Sequence, residues 1–412
     1  MHTKTTGSQI SRRRPASSPL RRSRALLGIA AVTLAAAACS TAPQATTGTA
    51  PQTTTHPTAG STPAVQAAER PYLLRFHTIS QISTTVPANG DVNPYGIAVV
   101  PHTVGGLVQG DTLVSNFNNK ANVQGTGTSI VEISPAGAVR PFARHGALPS
   151  SDSCPGGVGL TTGLVVLPGG WVVVASLPTV HGGALPARSP VGCLIVLDSH
   201  GRPVETWVSQ DINGPWDMTM RAQGGHAALF ISNVLTRPAS AGSPPPASGL
   251  CAVVRVDLAL PSGTRPRMTS VTVLGSGFPW RQDKAALVQG PTGLALGRGG
   301  TLYVASTTDS SISAIPDAMT RTSPIRPGTG ILTRGGSLNG PLGLTLAPNG
   351  NLIAVNGNNG NAIEVTPTGR QVATVTLVPH GAGDLFGVTP LADGQGLLFV
   401  NDGTNALDLF SA

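Results

Sequence analysis

Aromatic side chains make up only 4% of the 412 residues and charged ones only 11%, beside 52 Gly and 36 Pro. That balance suits one large all-β module with many tight turns better than several helical domains. No GxSxG, HExxH, CxxC or phosphate-loop pattern occurs, and the His residues are scattered, which excludes those named chemistries. No Asp or Glu precedes Cys39, whereas Lys4, Arg12, Arg13, Arg14, Arg21, Arg22 and Arg24 all do. The formal charge of +8 therefore belongs to the N-terminal segment, and the remainder is almost neutral, which removes the main support for a nucleic-acid partner.

That basic segment is followed by an apolar run over residues 25–38, too short to span a bilayer comfortably, and by small residues up to Cys39. This is the layout of a secretory leader. Its end resembles a bacterial lipobox, with Leu34 further upstream than the preferred large aliphatic residue. Acylation of Cys39 and plain cleavage after an Ala-x-Ala site both remain open. Residues 40–68 carry no charge and little to bury, so they are expected to be a disordered tether. The expected organisation is a leader at 1–38, a lipid-bearing Cys39 and tether at 39–70, and a folded domain at 71–412. The expected address is the membrane-anchored cell envelope, or the medium if Cys39 is not acylated.

The folded part is organised by residues 340–377, which read as four short strands. Apolar runs at 344–347, 351–355, 362–365 and 371–377 alternate with turns at Pro348-Asn349-Gly350, 357–361 and Pro367-Thr368-Gly369. The same grammar recurs. A glycine-type position opens an apolar strand at Gly96, Gly163, Gly293, Gly343 and Gly387, with Asp217 in that place in the third repeat, and a second strand follows each time. Six repeats of this size predict a six-bladed β-propeller of four-stranded antiparallel blades. Glycine at the start of each innermost strand fits six strands crowding one axis. Asp217 is either a turn cap or a polar group facing a ligand. The last repeat ends after three strands, and residues 71–80 are expected to supply the fourth, closing the ring.

This grammar resembles the NHL-repeat β-propellers, in particular extracytoplasmic bacterial lipoproteins, most closely over residues 291–306 and 341–356. Propellers of this shape include binding modules, sensors and enzymes of the gluconolactonase and regucalcin group. For that group the resemblance implies a metal held by a Glu, two Asn and an Asp on the axis. No Glu stands at any of the six strand openings here; Asn93, Asp217 and Asp384 are the metal candidates, with a divalent cation such as calcium as the cofactor, none being expected otherwise.

Loops entering the first strand and leaving the second share one face. On that face the second-to-third loops of the first three repeats, 116–128, 177–191 and 236–250, are the long ones. Tyr95, Trp216 and Phe386, beside the glycine-type positions, are expected to gather near the channel mouth. With Asp217 and the amides Asn116, Asn233, Asn356 and Asn401 they would suit a sugar, peptide or other neutral polar ligand. The alternative is blade packing for the aromatics and turn capping for the amides. Asp402 reads as a turn cap. Cys154 and Cys193 fall within one blade and are the expected pair, with Cys193 to Cys251 as the other option. The functional expectation is a monomeric envelope module that binds a small polar ligand or an envelope protein. The alternative is a metal-dependent hydrolase or lyase using the channel.

Overall fold

The computed structural model describes residues 70–127, 129–143, 154–180, 183–186, 191–235, 248–283, 287–326 and 329–412. The described residues belong to one compact unit. The leader, Cys39 and the tether lie outside the described residues, as do parts of the second and third long loops.

Six separate antiparallel sheets form among the described residues, five of them taking their strands in chain order from the axis outward. The strands of blade one are Val92–Val99, Thr112–Asn118, Ile130–Ile133 and Val139–Ala143; those of blade two are Leu160–Leu167, Trp171–Leu177, Cys193–Leu197 and Pro203–Trp207. Blade three is built from Pro215–Gln223, His226–Asn233, Ser248–Ala259 and Arg267–Asp283, and blade four from Pro291–Leu296, Leu302–Ser306, Ser311–Ile315 and Ile331–Arg334. Blade five, the repeat legible in the sequence, has Pro341–Leu346, Leu352–Asn356, Asn361–Val365 and Gln371–Thr376. Blade six takes Leu385–Pro390, Gly396–Asn401 and Ala406–Ser411 from the C-terminus, and its outer strand Thr78–Thr84 from the N-terminus. The six-bladed all-β propeller is thus the fold.

Two details differ from expectation. Blade three carries a fifth short strand, Leu287–Gln289, paired with the end of its 17-residue outer strand. The closing strand also lies later than residues 71–80. Leu73–Arg75 is a 3-10 turn, and the paired strand runs from Thr78 to Thr84 opposite Ser411 to Ala406. The reason lies in side-chain chemistry. Tyr72, Leu73 and Phe76, which make the segment look like a buried strand, instead plug the wedge between blades five and six, against Ile353, Leu397 and Phe410. The strand itself is Thr, Ser and Gln with two Ile, and it is mostly exposed, as an edge strand can be. Glu364, fully buried, ties this plug down. It accepts the Leu73 N–H at 2.9 Å and the amides of Asn349 and Asn351 at 2.9 and 2.7 Å.

The glycine-type positions explain how the blades meet. A Cβ on Gly96 would overlap the Thr162 carbonyl of blade two, and one on Gly343 the Phe386 carbonyl of blade six. One on Gly387 would overlap the Tyr95 carbonyl of blade one, so the same close approach closes the ring. Ser115 and Ser232, one strand out, stitch the same seams by donating to the Thr162 and Thr292 carbonyls at 2.7 Å. Between blades three and four, Asp217 replaces glycine, and its carboxylate accepts the Leu294 N–H of the next blade at 3.3 Å.

Cys154 and Cys193 form a disulfide with a Cα separation of 5.7 Å, and Cys251 is a buried free thiol. The bridge closes a loop with a sequence separation of 39, worth about 4 kcal/mol on the loop-entropy account. Reduction is therefore expected to lower the thermal midpoint by about 5 °C, as followed by circular dichroism with and without reductant. An unchanged midpoint would mean the bridge does not hold blade two together.

Candidate functional site

The channel is divided. Its middle is an aromatic layer in which Tyr95 packs on Trp216 with ring centroids 5.4 Å apart and on Phe386 at 5.3 Å, while Phe117 lies 6.0 Å from Tyr95 and 6.3 Å from Phe386. All four rings are buried. Their convergence follows from the repeat, since three of them flank the glycine-type position of a different blade. The Trp216 indole N–H faces the Tyr95 hydroxyl too loosely for a hydrogen bond, so both polar atoms are buried without a full partner. Burial, then the nearby Asp217, pushes the Tyr95 hydroxyl well above its usual range.

Below this layer lies a cavity of about 350 Å³ lined by innermost strands of all six blades, including Ile97, Val165, Leu344 and Val388. Asp217 is its one carboxylate among the described lining residues. It accepts the Met218 N–H at 2.8 Å as well as that of Leu294. Burial pushes it up to about 7, the two N–H bonds pulling weakly the other way. A carboxyl with a folded pKa above its unfolded value stabilises the fold fully at pH values below the unfolded value near 4. That contribution is lost as pH rises through about 7. Since Asp217 is partly open to the cavity, screening cuts the full shift to ~2 kcal/mol. Thermal midpoints measured from pH 4.5 to 8 should fall, and Asp217→Asn should flatten the fall; a flat wild-type profile would contradict this placement.

Above the layer, at the mouth formed by the loops that enter first strands and leave second strands, is a second cavity of about 480 Å³. Trp216, Phe117, Phe386 and Leu342 form its apolar part, and Asn93, Gln124, Asp283, Gln289, Thr307, Asn358, Asp384 and Asp402 its polar part. No Lys, Arg or His is among its described lining residues. Asp384 and Asp402 are neighbours, the Asp402 backbone N–H donating to the Asp384 carbonyl at 2.8 Å. Burial and then the Asp384 charge push Asp402 up to about 7, and burial raises Asp384 as well. Asn93, only 7% exposed and held at φ +65°, lines the same cavity, and its Oδ1 has no partner. Gln289 donates to Asp283 at 3.0 Å, so the fifth strand of blade three brings this pair to the rim.

The expected site residues are therefore sorted. Tyr95, Trp216 and Phe386 do come together in the channel, with Phe117 joining them. Asp217 does not reach the mouth, because the aromatic layer lies between, and the expected metal set of Asn93, Asp217 and Asp384 is split across that layer. Asn116, Asn233, Asn356 and Asn401 line neither cavity. The Asn116 amide donates to the Thr85 carbonyl at 2.7 Å and that of Asn356 to Ser337 at 2.8 Å. Asn233 accepts the Gly214 N–H at 3.3 Å, and Asn401 donates to Asp408 at 3.1 Å. They satisfy the backbone and side chains around the strand ends, as amides there commonly do. Among the described residues no three His, Cys, Asp or Glu side chains lie close enough to hold a metal ion. Of the long loops, the first folds back through an Asn118 to Gln124 bridge and meets the second where Thr179 donates to the Gly125 carbonyl at 3.2 Å; the tip of the third lies outside the described residues.

No protein-family model matches the chain, and no curated protein matches it by sequence. Solved structures similar to it include a gluconolactonase from Xanthomonas campestris, at 16% identity and a TM-score of 0.48, covering 81% of this chain and 89% of that one. A calcium-binding regucalcin from Agrobacterium tumefaciens matches at 12% identity and TM-score 0.47, covering 81% and 94%. A streptogramin B lyase matches at 12% and 0.47, covering 81% and 97%. The fold rests on the strand pairing described above, not on these figures.

Proposed function

We propose that the chain is an exported, envelope-tethered binding propeller that holds a small polar ligand in its upper cavity. The observation that carries this reading is the cavity itself. It is a concave mouth with an aromatic floor, unpartnered polar atoms and carboxyls raised by burial, an arrangement the ring does not need in order to close. Export rests on the leader-like layout before Cys39, and the repeat grammar resembles that of NHL-type envelope lipoproteins.

Tyr72 donates to the Gly396 carbonyl at 2.8 Å, and Pro71 shares a surface hollow with Asn349 and Asn351, all at turns between first and second strands. A metal-assisted hydrolase would need one ion shared by Asn93, Asp217 and Asp384, which the aromatic layer separates. Asn93, Asp384 and Asp402 share the upper cavity, but among the described residues no three His, Cys, Asp or Glu side chains lie close enough to hold a metal ion.

The test is a thermal-shift panel of neutral sugars, lactones, amines and calcium on the full chain and on Phe386→Ser. The reading expects at least one compound to raise the midpoint of the wild type and not of the variant. Equal shifts in both would sink the site. For the anchor, mass spectrometry of the mature N-terminus is expected to find acylated Cys39; cleavage without lipid would make the protein secreted.

A further inference from the structure

The upper cavity combines two features. Its described lining has carboxylates on two sides of the mouth, Asp283 from blade three and Asp384 with Asp402 from blade six, and no cationic side chain. Its floor is the aromatic layer, with Trp216 and Phe386 facing the space the carboxylates surround. A positive group beside Asp384 and Asp402 would favour their charged forms against the burial that raises both, which a neutral polyol would not. The three carboxylates are too dispersed for one metal ion. What suits dispersed carboxylates above aromatic rings is positive charge carried on a carbon body, since a desolvated cation is attracted both by the carboxylates and by the ring faces. Asn93, more than nine-tenths buried with an unpartnered side-chain oxygen, adds an acceptor in the same lining that an N–H donor would satisfy.

We propose that the upper cavity takes a small organic ammonium ligand, with its positive nitrogen between Asp384 and Asp402 and its carbon body against Trp216 and Phe386. This deepens the binding reading above and rests on it. The class includes amines and polyamines; the recognition is non-covalent, and no bond is made or broken.

Isothermal titration of the full chain separates the possibilities. The probes are 1,4-diaminobutane and 2-phenylethylamine, each beside its alcohol isostere, butane-1,4-diol and 2-phenylethanol, with calcium chloride as the metal control. The expected result is that at least one amine binds about tenfold or more tightly than its alcohol. Asp384→Asn and Asp402→Asn should each weaken that amine about tenfold, while Trp171→Phe, at the turn between the first two strands of blade two and outside the cavity lining, changes nothing. Each variant is checked for an unchanged melting profile. Amines that bind no better than alcohols, that are indifferent to both aspartate variants, or that do not bind at all overturn the ammonium assignment. In those cases an alcohol or calcium signal that disappears in Phe386→Ser leaves the cavity as a ligand site of another class. Binding of every compound unchanged by Phe386→Ser removes the site itself.

Discussion

A chain beginning at residue 85 is expected to lose cooperative unfolding, while one beginning at residue 70 melts like the full protein. The longer truncation removes Thr78–Thr84, leaving Ala406–Ser411 as an unpaired edge in blade six. It also removes Tyr72, Leu73 and Phe76, which are 1%, 0% and 6% exposed. Burial of three such side chains stabilises by about 5–8 kcal/mol, a large share of the ~5–15 kcal/mol that holds an ordinary domain folded. The Glu364 carboxylate would in addition lose the Leu73 N–H inside a fully buried site. Circular dichroism melting of the two truncations decides the matter, and identical midpoints would refute closure of the ring by the N-terminal strand.

The second large effect is expected at Gly343→Ala. The added methyl would occupy the position of the Phe386 carbonyl oxygen in blade six, and that neighbour is backbone that cannot rotate away. Overpacking of this kind costs about 2–4 kcal/mol. Gly299→Ala is the control. A Cβ there meets nothing within 4 Å and the backbone is not left-handed, so stability should stay within ~0.5 kcal/mol. Denaturant unfolding of both variants at equal slope is the measurement. If Gly343→Ala is as mild as Gly299→Ala, the blades do not meet through their innermost strands as described.

The grammar that makes blade five legible is local. Turn residues such as Pro348-Asn349-Gly350 fix hairpins between apolar runs, and the observed strands follow those runs within three residues. The glycines at 96, 343 and 387 are legible for the same reason, since crowding at an axis repeats with each blade. The closing strand was placed too early because Tyr72, Leu73 and Phe76 advertise burial, and burial alone does not distinguish a strand from a plug. The site was harder. Asp384 and Asp402 stand 18 positions apart in the sequence, and each resembles an ordinary turn residue; only the folded blade sets their backbones together. Asp283 and Gln289 had no signal at all, because they depend on an extra strand outside the repeat. The amides at strand ends were the most visible polar residues, and they turned out to be those the fold uses for itself.

The central claim is that the working face is the upper mouth. The most direct measurement is hydrogen–deuterium exchange of the full chain with and without the panel compound that gives the largest thermal shift. Protection is predicted in peptides covering Asn358, the stretch from Ala382 to Phe386, and Asp402, with none in the turns at Asn349 or Gly394 on the opposite face. Protection at those opposite turns, or along the innermost strands around Val165 and Thr345 that line the lower cavity, would contradict it.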